Sequence, residues 1–351
     1  LQKSFPYTKW TFQLGILLPT LVIILLILDV SLGSVNIPLL QIVKALLGAE
    51  TDKVSWQNII WEFRMPKAFT AILAGATLAV SGLQMQTLFR NPLAGPYVLG
   101  ISSGASLGVA LVVLASYSLG SIFNTSLLGD WIVVLAASTG SGVVLMAVLA
   151  LSLKVKDSMT LLIIGLMFGS LAGAIVSVLQ FFSEAQQLQI YLIWTFGSLG
   201  GLDWNELYLL AVLCGLGLLI AFYLSKPLNT LLMGESYAQS MGINVKKVRI
   251  LIVVSTSLMA GSVTAFCGPI AFIGLAVPHL TRILFNTANH KVLIPAVALS
   301  GMIIMLTCDI VSQLPGSQYI LPINAITSLI GAPVVIWVIL SKGGIKTSFS
   351  R

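Results

Sequence analysis

The chain has 351 residues, of which 57% are apolar and only 8% charged, and its formal net charge is +7. A soluble domain covers its surface with about a quarter of its residues charged, so this composition excludes one. The basic excess alone would also suit a nucleic-acid partner, but the distribution of the basic residues along the chain argues against that.

Apolar runs such as 12–28 and 131–153 approach or exceed the ~20 residues that cross ~30 Å of hydrocarbon as a helix. Lipid offers no partner to an unpaired backbone group, so such runs are read as helices. The ten-residue alternation of a transmembrane barrel is not seen. The pattern predicts ten spans, at 12–29, 67–88, 97–117, 131–153, 160–181, 206–224, 249–267, 272–286, 292–310 and 323–341, the eighth short and interrupted by Pro278. Lys3 and Lys9 precede the first run as in a secretion signal, but that run is too long and no small-x-small cleavage site follows it. It is read as a retained span.

Between the first two spans, residues 37–47 repeat apolar positions at helical period. They are expected to lie along the outer membrane interface. In the second span Ala71, Gly75, Ala79 and Gly82 are spaced so that helix backbones can approach closely. The spacing of Ala74, Gly75, Ala79 and Gly82 returns at Ala260, Gly261, Ala265 and Gly268, each copy followed ten residues later by a proline, Pro92 and Pro278. An inverted repeat of this kind is one reading; chance is the other. Residues 225–248 are polar and read as two short helices around a glycine turn, either a solvated connector or a contact surface.

With the N-terminus inside, 14 of the 18 basic residues fall on the inner side. They are Lys3, Lys9, Arg90, Lys154, Lys156, Lys226, Lys246, Lys247, Arg249, Arg282, Lys291, Lys342, Lys346 and Arg351; Lys44, Lys53, Arg64 and Lys67 fall outside. The positive-inside rule then predicts both termini cytoplasmic in an all-α polytopic helix bundle, with residues 1–351 forming one transmembrane domain. The charge excess reports topology, and no nucleic-acid partner is expected.

Reactive groups are scarce. Asp29, Asp130, Asp203, Glu206 and Asp309 fall at predicted outer span ends, and no two carboxylates pair at helical spacing within a span. No buried acid relay is therefore expected, which tells against a cation-coupled transporter. His279, Arg282 and His290 lack metal-ligand spacing, so no metal site is expected. Cys214, Cys267 and Cys308 read as packing residues. Gln84, Gln86, Gln180, Ser102 and Ser103 either line a pathway or hydrogen-bond between helices. Gly343-Gly344-Ile345-Lys346-Thr347 has the wrong spacing for a phosphate-binding loop. No cofactor is expected, and any ATP hydrolysis belongs to another chain.

Several segments together resemble the FecCD-type permeases of ATP-binding-cassette importers, which carry iron–siderophores, haem and cobalamin. They are Phe63-Arg64-Met65-Pro66-Lys67, Gly75-Ala76-Thr77-Leu78-Ala79-Val80-Ser81-Gly82, Arg90-Asn91-Pro92-Leu93-Ala94-Gly95-Pro96, and Leu99-Gly100-Ile101-Ser102-Ser103-Gly104-Ala105. Further on come Gly268-Pro269-Ile270-Ala271-Phe272-Ile273-Gly274-Leu275, Pro278-His279 with Arg282, and Leu329-Ile330-Gly331-Ala332-Pro333. The resemblance spans essentially the whole chain, in family order.

It implies the type II importer permease fold, with ten helices per subunit and two permease subunits, identical or paralogous, around a central pathway. It also implies two ATP-binding subunits below and an extracytoplasmic substrate-binding protein above, in the inner membrane of a bacterium. By resemblance, Gly234, Glu235, Ala238 and Gly242 belong to the segment that receives the ATPase. Asn91 and Leu93 form one cytoplasmic gate, and Ser158 and Met159 match the second by position. Arg64 and Lys67 look like an exposed basic pair that meets acidic residues of the binding protein, and Gln313 falls where a third docking residue is common. Three departures stand out. The family's Arg-Leu-Pro-Arg is here Arg64-Met65-Pro66-Lys67, its docking arginine is Gln313, and its Glu-Leu-Pro-x-Gly is Ile320-Leu321-Pro322-Ile323-Asn324.

Overall fold

The computed structural model describes residues 7–33, 35, 37–114, 131–152, 155, 158–313 and 319–340. Among these residues the chain is helical, with no strand. In order come α1 Tyr7–Ser31, α2 Leu39–Leu46, α3 Val54–Leu88, α4 Ile101–Val113, α5 Trp131–Ser152, α6 Ser158–Phe181 and α7 Ala185–Phe196. They are followed by α8 Trp204–Tyr223, α9 Ser225–Leu231, α10 Glu235–Ser240, α11 Val245–Cys267, α12 Ile273–Phe285, α13 His290–Ser312 and α14 Ile323–Leu340.

Seven of these helices (α1, α3, α5, α6, α8, α11 and α13) are long and apolar enough to cross a membrane, and α4, α12 and α14 contain shorter apolar helices. These ten coincide with the ten runs read from the sequence. Lys3, Asp130, Lys154, Lys156, Lys342, Lys346 and Arg351, which entered the charge reading, lie outside the described residues.

Helix α3 is the centre of the bundle. Its most apolar window is 83% buried, against 22% for α6, and α13, α12 and α8 pack around it. The small residues explain why. A Cβ on Gly75 would strike the Gly301 carbonyl of α13, and one on Gly301 would strike that of Gly75. A Cβ on Gly82 would overlap the Gly274 carbonyl of α12. Pro278 has no N–H to offer that carbonyl, so the bare face of Gly82 lies against a backbone group that α12 itself cannot satisfy. Lipid is as apolar as leucine, so helix association in a membrane depends on such close van der Waals contact. The repeat is not matched in packing: Gly268 ends α11 with φ +74°, whereas Gly82 lies inside a helix.

Near its start α3 passes through a wide turn at Ile59–Arg64, with i→i+5 bonding. Pro66 follows and lacks the N–H that would return to Trp61. The Trp61 carbonyl instead accepts from the Trp204 indole at 2.9 Å, and the two rings lie 6.4 Å apart. Paired indoles at a helix end suit the membrane interface. Beside them α2 buries Gln41, Ile42 and Ala45 and exposes Leu39, Leu40 and Val43, as its amphipathic period predicts.

Between α11 and α12 the backbone is irregular, with positive φ at Gly268 and Phe272. Non-helical backbone at membrane depth must be satisfied by protein. Here Ala271 N donates to Asn324 Oδ1 at 3.0 Å, Ser198 N donates to the Cys267 carbonyl at 2.8 Å, and the Tyr97 hydroxyl donates to the Ile270 carbonyl.

Candidate functional site

Residues 225–248 gather at the C-terminal end of α3. The predicted pair of short helices is present as α9 and α10, and Gly234 between them has φ +113°, which a side chain would strain. Gly242, at φ +79°, ends the second. Ala238 is fully buried in the main apolar core, so it anchors α10 from behind instead of facing outward. The outward side is formed by Met233, Tyr237 and Met241, each about half exposed or more. Reading the sequence alone did not single out these three. Met241 follows Tyr237 by one helical turn, a signal that was available, whereas Met233 lies before the break at Gly234 and joins them only in the fold.

Glu235 is held by a buried arginine. Arg249 Nη2 donates to both Glu235 carboxylate oxygens, at 3.0 and 3.2 Å, and Arg249 Nη1 donates to the Val155 carbonyl at 3.0 Å. Asn91 and Leu93 lie in the tight connection after α3. The Asn91 side chain accepts from Leu93 N at 2.9 Å and the Asn91 N–H donates to the Gln86 carbonyl at 3.1 Å, leaving the Leu93 side chain exposed. Ser158 and Met159 open α6 with Met159 exposed; the Ser158 side chain lies outside the described residues.

The N-terminal end of α3 carries a second cluster, and here the structure corrects the sequence reading twice. Arg64 and Lys67 are not an exposed pair. Arg64 donates to the carbonyls of Val30 (2.8 Å), Ser31 (3.0 Å) and Val35, closing the end of α1, where carbonyls have no helical partner. Lys67 Nζ lies 3.0 Å from Asp309 Oδ1. Nor are buried carboxylates lacking: Asp29 is 3% and Asp309 1% exposed. Gln313, also buried, donates from one amide nitrogen to both, at 2.9 and 3.3 Å. Together these residues line a cavity of ≈ 410 Å³ with Gly197, Ser198 and Gly200. Ile320 is exposed beside it, while Asn324 is committed to the break before α12.

The remaining polar groups mostly tie helices together. Gln84 Oε1 accepts from Ser255 (3.1 Å) and Thr256 (3.3 Å) of α11, and Gln86 donates to the Leu275 carbonyl of α12 at 3.1 Å. Ser102 and Ser103 line a smaller recess with Ser106 and Tyr191, whose hydroxyls lie 2.6 Å apart. Burial raises the Tyr191 hydroxyl pKa and the bond to Ser106 opposes that shift. The three cysteines are buried and free.

A helix bundle of this kind, with glycine-seated central helices and polar clusters at both ends of the central one, is that of a polytopic membrane protein. Residues 21–341 match the model of the FecCD transport family, and the chain belongs to that family. It is 36% identical to the hemin transport system permease protein HmuU of Yersinia pestis, over 94% of this chain and 97% of that protein. It is 35% identical to the vitamin B12 import system permease protein BtuC of Klebsiella pneumoniae, over 96% and 95%. A solved inward-facing transporter of the metal-chelate ABC type aligns with a TM-score of 0.79 at 28% identity, covering 93% of this chain and 98% of that one.

Proposed function

We propose that this chain is the channel-forming subunit of an ATP-driven importer that moves a ferric siderophore, haem or a cobalamin-like chelate across the inner membrane of a bacterium. The observation that carries this reading is similarity over nearly the whole chain to permeases for haemin and for vitamin B12. Ten spans with both termini cytoplasmic are the topology we infer, supported by seven long apolar helices, three shorter ones and the positive-inside count.

The subunit takes no nucleotide itself. Two ATP-binding subunits bind at residues 225–248 through Glu235 and the turns at Gly234 and Gly242, with Ala238 as the buried anchor. The exposed side chains of Met233, Tyr237 and Met241 support a partner on this face. Asn91 and Leu93, with Ser158 and Met159, act as the cytoplasmic gates. A second permease copy or paralogue completes the pathway. The extracytoplasmic binding protein docks around Arg64, Lys67 and Gln313. Asp29 and Asp309 already engage Lys67 and Gln313, so the partner's acids must compete with them.

Buried carboxylates are what a cation-coupled transporter would use, but these two are answered by a lysine and an amide of the same chain. The test is reconstitution with a candidate ATPase and binding protein, followed by measurement of ATP-dependent uptake of ferric chelates, haem and corrinoids. Uptake of one class that requires both partners is expected. Failure to move any of them despite intact assembly, or uptake driven by a cation gradient without the ATPase, overturns the reading.

A further inference from the structure

We propose that Arg249 and His290 are positioning residues that carry movement of residues 225–248 to the two gate connections, one residue serving each gate. The inference rests on the reading of that segment as the ATPase-binding surface.

Arg249 belongs to the second turn of α11, and its side chain is 5% exposed against 27% for Glu235. Its one guanidinium fastens three separate pieces of chain: α10 through the two-pronged bond to Glu235, α11 through its own backbone, and the α5–α6 connection through the Val155 carbonyl. Val155 lies three residues before Ser158. A guanidinium is planar and its donors form a fixed fork, so it cannot swivel to follow one partner while keeping the other. Displacement of Glu235 therefore reaches the start of α6 through a rigid plate.

The second junction starts at Asn229 on α9. Its Oδ1 accepts from His290 N at 2.8 Å, which fixes the amide orientation, and it lies 2.8 Å from His290 Nδ1. A carbonyl oxygen can only accept, so Nδ1 carries the ring proton and Nε2 is left as an acceptor. Thr87 Oγ1, 2.8 Å away, supplies the donor when its one proton points to Nε2 and not to the Leu83 carbonyl, 2.9 Å from the same hydroxyl. His290 and Thr87 are both fully buried. Thr87 is in the last turn of α3, four residues before Asn91. Arg282 of α12 donates to the same hydroxyl at 3.4 Å, and Asn289 receives the other end of the Asn229 amide at 3.0 Å. The imidazole thus bridges α9 to the helix end that leads into Asn91 and Leu93. A buried polar network of this kind has few alternative arrangements, because each broken bond leaves a group unsatisfied.

The test uses the full complex in proteoliposomes, with ATP hydrolysis and uptake of the transported chelate measured on the same vesicles. Arg249→Met and His290→Leu are similar in bulk and cannot make these bonds. Assembly and hydrolysis should hold within about twofold while uptake per ATP falls at least about fivefold, the lower range of a typical coupling between sites. In His290→Gln the amide can still donate to Asn229 and accept from Thr87, so it should recover most of the ratio. Arg249→Lys keeps the charge without the fork and should fall between. Unchanged uptake per ATP in Arg249→Met and His290→Leu, or hydrolysis and uptake falling together in all four variants, overturns the proposal. Tyr237→Glu and Met241→Glu, scored by ATPase binding, separate the two readings. If both still bind the ATPase, the surface assignment fails and takes this inference with it. If binding is lost there while Arg249→Met and His290→Leu stay fully coupled, only the inference fails.

Discussion

Replacing Lys67 with methionine keeps the aliphatic stem and removes the ammonium that faces Asp309 at 3.0 Å. Two carboxylates, 3% and 1% exposed, then share one Gln313 amide nitrogen. At an effective dielectric of about 20, the lost attraction at that distance is about 5–6 kcal/mol. Breaking a buried ion pair costs about 3–5 kcal/mol in practice. The cavity of ≈ 410 Å³ beside the cluster admits water, and the Lys67 side chain is 17% exposed. Both features pull the cost toward the lower bound, about 3 kcal/mol. Unfolding in mixed micelles titrated with denaturing detergent would measure it, within a cycle that includes Asp309→Leu and the double variant. The double variant removes both charges and should regain most of the loss. A single-variant cost under about 1 kcal/mol, the value of a solvent-exposed pair, would refute the reasoning and leave Lys67 free for an outside partner.

Further outcomes follow from the same geometry. Gly82→Ala must push α3 and α12 apart and should cost at least about 1–3 kcal/mol by the same unfolding assay. Gly142→Ala meets nothing within 4 Å and should be neutral or stabilising by up to about 1 kcal/mol. Asn324→Ala leaves the Ala271 N–H without its partner, costing about 1–3 kcal/mol, and amide exchange at 268–272 should speed up. Arg64→Met releases the carbonyls at the end of α1; a loss of about 2 kcal/mol and faster proteolysis near residues 32–38 are expected.

The glycine stripe of α3 was legible because lipid makes close backbone approach the main source of helix adhesion, and Gly75 and Gly82 sit on the stripe that the spacing marks. The two short helices at residues 225–248 were legible from polarity and from Gly234. Helix α7 was not read as an element, although Glu184 and Gln187 supply the reciprocal capping box that opens it. The acid cluster was beyond one-dimensional reading. Asp29 and Gln313 are 284 positions apart, and each alone looks like an ordinary polar residue at a span end. The burial of Ala238 was not legible, because a motif position does not say which side of a short helix faces the core. Arg249 was counted only as an inner positive charge, and nothing in its neighbourhood foretells a bond to Val155.

Helix α3 meets other backbone on so many sides that its residues are nearly all spoken for by packing. A side chain that grew there would collide with α12 or α13, so this helix has little freedom to adapt to a new passenger. Altered cargo preference, whether selected in the laboratory or acquired by drift, should accordingly be written on α6, α7 and α14, whose surfaces still have room to change.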